Sequence, residues 1–289
     1  MQRPLDDSSP GAAVLRDYAQ RWSLEPREAG FETNSSWLQR VFAPEPAVLK
    51  VAKPDSDERP GMALLQWWGA SGEQRGAVSV WNRDADAVLM AEATEIPALD
   101  DASAFDDQTA FAVLVQTADA LHRNGNQADE APDGLVPLTA VRDHVFTLRA
   151  IGEACFDRWR PFAQALDLMG TSPQPLHGDI HHGNVLREGR SGDWVVIDPK
   201  GLLGHVAYDF ANLFFNPMDQ PSRVAQIERM DWLANHIAAN AQGGEGRRRV
   251  LEFAVLYGGM SLLWGWDDDW APQRLIQFQM LETLLQDAA

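Results

Sequence analysis

Apolar positions near the start of the chain recur at helical spacing. Ala13, Leu15, Tyr18 and Trp22 follow Ser9, a hydroxyl able to cap, and Pro10, suited to a first turn, so residues 9 to 22 are expected to form a helix. From about residue 28 the period shortens. SWLQRVFA alternates, AVLKVA is an apolar run interrupted by one lysine, and GAVSVW and AVLMAEA follow as further short strands. Between the second and third, Asp57 to Gly69 carries Leu64, Leu65, Trp67 and Trp68 and reads as a helix. Beyond Asp106 the helical period dominates. Ala110 to Leu121 is closed by Arg123-Asn124-Gly125 and followed by the polar loop GNQADEAPDG. Further helices are expected over Leu138–Ile151, Glu153–Met169, His205–Phe215, 222–240, 246–264 and 270–286.

One stretch in the helical part breaks this rhythm. LHGDIHHGNVL, from Leu176 to Leu186, and WVVIDPKG, from Trp194 to Gly201, read as a polar loop, an apolar strand, a turn and a second apolar strand ending in a carboxylate. A hairpin here can bring Asp179, Asn184 and Asp198 to one point. Two carboxylates and a carboxamide at the ends of buried strands are costly unless a cation or hydrogen bonds satisfy them. Hard oxygen ligands suit Mg²⁺, which is usually completed by substrate phosphates. An Asp five residues before an Asn, then an Asp just past the next strand, is the layout of a kinase-type catalytic loop and metal loop. Asp179 is therefore the candidate base, Asn184 and Asp198 the candidate metal ligands, and ATP with Mg²⁺ the expected cofactors.

HGDIHHGN, followed by IDPKG and AYDFAN, resembles the aminoglycoside 6-phosphotransferase and hydroxyurea phosphotransferase family. The resemblance implies an α+β, two-lobed protein-kinase-like fold. A small N-terminal lobe (1–95) would hold an antiparallel sheet and one main helix, and a larger, mostly helical lobe (96–289) would hold the catalytic and acceptor sites. It implies that His177, Gly178, Asp179 and Asn184 form the catalytic loop, that Asp198 binds metal and that Asp209 is structural. It also implies that the backbone at Glu92 and Ala93, where the connector between the lobes should begin, binds the adenine edge. The implied acceptor is a streptomycin-like aminoglycoside phosphorylated at a 6-hydroxyl, which would inactivate the antibiotic.

The residues themselves add to this. Lys50, in VLK on a strand, could place an ammonium on the nucleotide phosphates, with Lys53 at the strand's end as a competitor. Glu58, opening the next helix, either pairs with Lys50 or is a first-turn carboxylate favoured by the helix dipole. TNSSW offers Ser35 and Ser36 as a phosphate-cradling turn or an ordinary Ser-rich one; there is no G-x-G-x-x-G. Asp209, on an apolar helix among Phe210, Leu213 and Phe214, wants a buried partner and reads as a brace for the catalytic loop. His177 reads as a tether for that loop, and His181 and His182 as loop-packing residues. Asp267, Asp268 and Asp269, set between tryptophans in WGWDDDW, could recognise an amine- or guanidine-bearing acceptor, or cap the helix that starts at Ala271-Pro272.

Composition narrows the classes. With 45% apolar and 23% charged residues the protein has an ordinary globular make-up, and no apolar run approaches a membrane span. A formal charge of −18 argues against nucleic acid as a partner and suits a cationic small molecule weakly. MQRPLDDSSP lacks the apolar core of a signal peptide, and the one cysteine, Cys155, fits a reducing cytoplasm. Three rivals share parts of this pattern. One is a kinase of the same fold acting on an endogenous sugar, aminocyclitol or other small alcohol, and another a catalytically silent nucleotide-binding module. The third is a metallohydrolase using His177, Asp179, His181 and His182, although Gly178 spoils a helical His-x-x-x-His site.

Overall fold

The computed structural model describes residues 3–69, 76–94, 97–123, 131–217, 223–241 and 246–288. Its first part is a seven-stranded antiparallel sheet with two helices. The strands are β1 (Arg3–Pro4), β2 (Glu25–Pro26), β3 (Phe31–Glu32), β4 (Ser36–Phe42), β5 (Pro46–Ala52), β6 (Val80–Arg83) and β7 (Ala87–Ala91). They lie in the order β1-β3-β4-β5-β7-β6, with β2 paired to β4. The Ser9 hydroxyl accepts the Ala12 N–H at 3.2 Å and Pro10 opens α1 (Pro10–Arg21). Leu15 and Tyr18 of α1 pack on Val41, Leu49 and Val51, which alternation sends to one face of the sheet. The other face carries Val48, Lys50, Val88 and Met90 and meets α2 (Glu58–Gly69) through Met62 and Leu65.

The second part is mainly helical: α3 (Asp107–Arg123), α4 (Leu138–Leu148), α5 (Ala154–Ala165), α6 (Arg223–Asn240), α7 (Arg247–Gly265) and α8 (Ala271–Asp287). α7 is buried almost all round from Val250 to Leu263, and α4, α5, α6 and α8 pack against it. Gly259 is what lets the Trp159 ring lie against it, since a Cβ there would fall 2.1 Å from the indole. Short strands weave through this lobe: β8 (Ala93–Thr94), β9 (Val136–Pro137), β10 (Gln174–Leu176), β11 (Val185–Glu188), β12 (Trp194–Val196) and β13 (Leu202–Gly204). They form two three-stranded sheets, β12-β11-β8 and β10-β13-β9.

Some expectations from the sequence need correction. The strand expected in GAVSVW begins only at Val80, because Ala77 and Val78 run beside β12 instead, with Val78 N–H donating to Val196 C=O at 3.1 Å. α5 stops at Ala165 rather than Met169, because the Asp167 carboxylate takes the N–H groups of Met169 and Gly170 and forms a turn. α8 is capped by no aspartate side chain: its N-cap residue is Trp270. The division expected at residue 95, the end of the first helix of the second part at Asn124-Gly125 and most of the loop after it lie outside the described residues.

Candidate active site

The β4–β5 register sets Leu38 opposite Lys50, and the β5–β7 register sets Lys50 opposite Val88, so all three face one cavity of about 180 Å³. Glu58, Met62, Met90, Asn184, Ile197 and Asp198 also line it. Lys50 is only 7% exposed. Its Nζ lies 2.5 Å from Glu58 Oε2 and also contacts Asp198 Oδ1. Burial alone would lower its pKa, but Asp198 and Glu58 together raise it, so the ammonium stays charged. Asp198, at φ +62°, holds the left-handed backbone conformation unusual for a residue with a side chain. Burial pushes its carboxyl up, yet Lys50, with Lys200 behind it, brings it below the usual range.

The catalytic-loop candidates are held from beneath. Asp209 Oδ1 accepts the Gly178 N–H at 2.6 Å, and its Oδ2 accepts the His177 N–H and faces His122 Nε2, each at 2.9 Å. Two successive loop amides are thus capped by one buried carboxylate. His177 is fully buried, with Nε2 2.8 Å from the Ile197 C=O and Nδ1 accepting the Asp179 N–H at 3.2 Å. Those partners require the neutral Nε2–H tautomer, and burial lowers the ring's pKa in the same sense. Gly178, at φ +81°, passes where a Cβ would sit 2.7 Å from Leu202. Asn184 Nδ2 donates to the Asp179 C=O at 2.9 Å, which leaves its Oδ1 for another ligand.

Asp179 stands just outside the cavity lined by Asn184 and Asp198. Asn212 Nδ2 donates to its Oδ1 at 3.0 Å, and Lys200 Nζ lies 3.8 Å from its Oδ2. Sequence reasoning singles out neither Asn212 nor Lys200, although both stand in the motifs AYDFAN and IDPKG. The signal that could find Asn212 is the one that finds Asp209, a polar residue amid Phe210, Leu213 and Phe214.

Other candidates fall elsewhere. The Ser35 hydroxyl contacts Glu58 Oε1, and Ser36 is wholly buried in β4, so neither hydroxyl is offered to a phosphate; Phe31 and Thr33 line the cavity from that hairpin. The Glu92 backbone is already engaged: its N–H donates to Pro46 C=O at 3.1 Å and its C=O accepts the Gly189 N–H at 2.9 Å. Ala93 sits in β8 opposite Glu188. Asp267 pairs with Arg149 at 2.8 Å, and Asp267, Asp268 and Asp269 are all exposed, away from that cavity. His182 packs edge-on against Phe111 with ring centroids 5.4 Å apart, and His181 Nδ1 accepts the Gly183 N–H, so the three histidines of this loop serve separate local bonds. Among the described residues no cluster of three His, Cys, Asp or Glu could hold a metal, and no helix is long and apolar enough to cross a membrane.

This arrangement is a cleft under a sheet, with a lysine–glutamate pair above and a braced loop below. The family model for aminoglycoside/hydroxyurea antibiotic resistance kinases matches residues 21–269. The protein belongs to this family. A streptomycin 3''-kinase of Klebsiella pneumoniae is 35% identical over 253 residues, covering 85% of this chain and 90% of the relative. Among solved structures, choline kinase LicA from Streptococcus pneumoniae aligns with a TM-score of 0.60 at 15% identity, over 96% of this chain and 100% of that one. The macrolide 2'-phosphotransferase MphH from Brachybacterium faecium gives 0.56 at 18% identity, over 93% and 97%. At such identities the two structures share the fold, and membership of the kinase family rests on the sequence matches. The two-lobed kinase-like fold expected from the motifs is the fold observed, and the protein is a phosphotransferase with a hydroxyl acceptor.

Proposed function

We propose that this kinase transfers the γ-phosphoryl group of ATP to a hydroxyl of a streptomycin-like aminoglycoside, with Mg²⁺ held by Asn184 and Asp198. The observation that carries the reading is that Asn184 and Asp198 line one cavity with the Lys50–Glu58 pair, while the Asp179 C=O is bonded to Asn184 itself. The oxygen donors fit the metal: a carboxylate kept ionised and a carboxamide oxygen not used elsewhere are hard ligands. A bound Mg²⁺ would neutralise charge on the transferring phosphate. Lys50, fixed by Glu58, anchors the nucleotide phosphates. Asp179 orients the acceptor O–H and takes its proton as the new O–P bond forms and the bond from Pγ to the ADP oxygen breaks. The streptomycin acceptor rests on the 35%-identical relative, whose name specifies the 3'' position rather than the 6-hydroxyl implied by the motif resemblance.

The test is an ADP-release assay of the pure protein with Mg-ATP against streptomycin, other aminoglycosides, hydroxyurea and simple sugars, with phosphorus NMR to locate the phosphoester. Streptomycin-dependent ADP release is expected. Asp179→Ala should lower turnover by roughly 10²–10⁴-fold and leave ATP binding in place. Turnover only with a sugar or other small alcohol would reassign the acceptor. Full activity of Asp179→Ala would remove its role as base.

A further inference from the structure

The two oxygens of Asp179 are not equivalent. Oδ1 accepts the Asn212 N–H at 3.0 Å, whereas Oδ2 is left to Lys200, whose Nζ is 3.8 Å away. A carboxamide can present either its NH₂ or its C=O, and nothing in Asn212 alone decides which end meets Asp179. The decision is made one turn further on. Asn216 Nδ2 donates to Asn212 Oδ1 at 2.8 Å and to the Asn212 backbone C=O at 3.1 Å. With its oxygen claimed, Asn212 has only its NH₂ to point at the carboxylate. Asn216 is held in turn, because its backbone C=O accepts from the Arg229 guanidinium. Arg229 lies over the Phe111 ring at 4.5 Å and pairs with Asp107 at 2.9 Å, so α3 and α6 both fix the far end. Asn212 is only 5% exposed, which removes water as a competing partner.

We propose that the series Arg229–Asn216–Asn212 is a positioning device for the base, which commits Asp179 Oδ1 to Asn212 and leaves Oδ2 as the atom that takes the acceptor's proton. This rests on the assignment of Asp179 as the base. In the transfer, the acceptor O–H gives its proton to Oδ2, the freed oxygen pair forms the bond to Pγ, and ADP departs with the electrons of the broken Pγ–O bond. Asn212 touches neither acceptor nor nucleotide in this scheme. It removes the freedom of the carboxylate to rotate, and a misplacement of about 1 Å in such a group costs on the order of 10²-fold in rate.

The experiment is a double-mutant cycle on steady-state kinetics with Mg-ATP and the best acceptor of the panel, using Asn212→Leu, Asp179→Ala and the double variant. Asn212→Leu is expected to lower kcat by about 10²-fold and to leave KM for ATP within a factor of about two. In the Asp179→Ala background, with no carboxylate left to hold, the same change should cost nothing further. An equal loss in both backgrounds would mean that Asn212 merely supports the fold, and unchanged kcat in Asn212→Leu would also overturn the proposal. Should Asn212→Leu fail to fold, Asn216→Ser, at a half-buried position that does not touch Asp179, is read in the same cycle. A several-fold loss confined to the Asp179 background supports the device; no loss, or an equal loss in both, refutes it. If Asp179→Ala itself keeps full activity, it is the assignment of the base that fails, which the cycle shows separately.

Discussion

His182 lies 6% exposed within the catalytic loop, with its ring edge-on to Phe111, and burial lowers its pKa from 6.5 to about 4, Arg229 adding in the same direction. The native ring is therefore neutral where the unfolded protein begins to bind a proton. Between pH 6.5 and about 4 the unfolded state carries the extra proton, so stability falls as the pH falls through that window and levels off below it. At about 1.4 kcal/mol per pH unit the contribution is on the order of 3 kcal/mol as an upper bound. His182→Leu should flatten the dependence of the denaturation midpoint on pH over that range; a profile as steep as the wild type's would dismiss this account. His177, also buried and neutral, contributes in the same sense, so the profile should flatten without becoming level. Single residues are legible in the sequence where chemistry constrains them from both sides. Lys50 is visible as the one charge in an apolar strand, and Asp179, Asn184 and Asp198 by their spacing. Asn212 and Lys200 are not, because their partner is the Asp179 side chain, far away in sequence, and a polar residue in a helix or turn has many commoner explanations. Ser36 misleads for the opposite reason: a hydroxyl in a turn-like run lies inside the strand, fully buried.

The long helices follow from period and composition, since α1, α3, α6 and α7 begin and end within a few residues of where apolar spacing puts them. Strands of two or three residues, such as β8, β9 and β13, leave no periodic trace and are defined only by their partners. The contact that matters most between elements is equally invisible. α2 meets the turn Asp198–Gly201 through glycines: a Cβ on Gly61 would lie 1.8 Å from the Pro199 C=O, and one on Gly201, at φ +68°, 2.4 Å from Pro60. This close approach sets Glu58, one turn earlier on α2, within reach of Lys50 and Asp198. Gly61→Ala should push the helix off the turn, lowering kcat/KM for ATP by at least about tenfold and stability by about 1–3 kcal/mol. Wild-type kinetics in that variant, measured beside its thermal melt, would show that the turn can yield without cost.

At the scale of the whole molecule the cavity is walled by β4, β5, β7 and α2 on one side and by the Asn184 and Asp198 segments on the other. A nucleotide seated there would bind both lobes at once, so it should stabilise them as a unit. With Mg²⁺ and a non-hydrolysable ATP analogue at about 100 times Kd, roughly 2.7 kcal/mol is expected, or a rise of about 5 °C or more in the melting temperature. EDTA should remove most of that rise, and a shift indifferent to chelation would argue against Asn184 and Asp198 as metal ligands. The two-lobed architecture is legible because one motif, HGDIHHGN with IDPKG, implies it; the place of the surface aspartates of WGWDDDW is not, because exposure cannot be read from charge alone. Lys50 has one more role at this scale. It belongs to the small lobe and Asp198 to the large one, with Glu58 on the near side, so a single ammonium stitches the seam between them. Acylating that amine would leave two carboxylates staring at each other across the gap, and the same event that blunts phosphate anchoring would prise the halves apart.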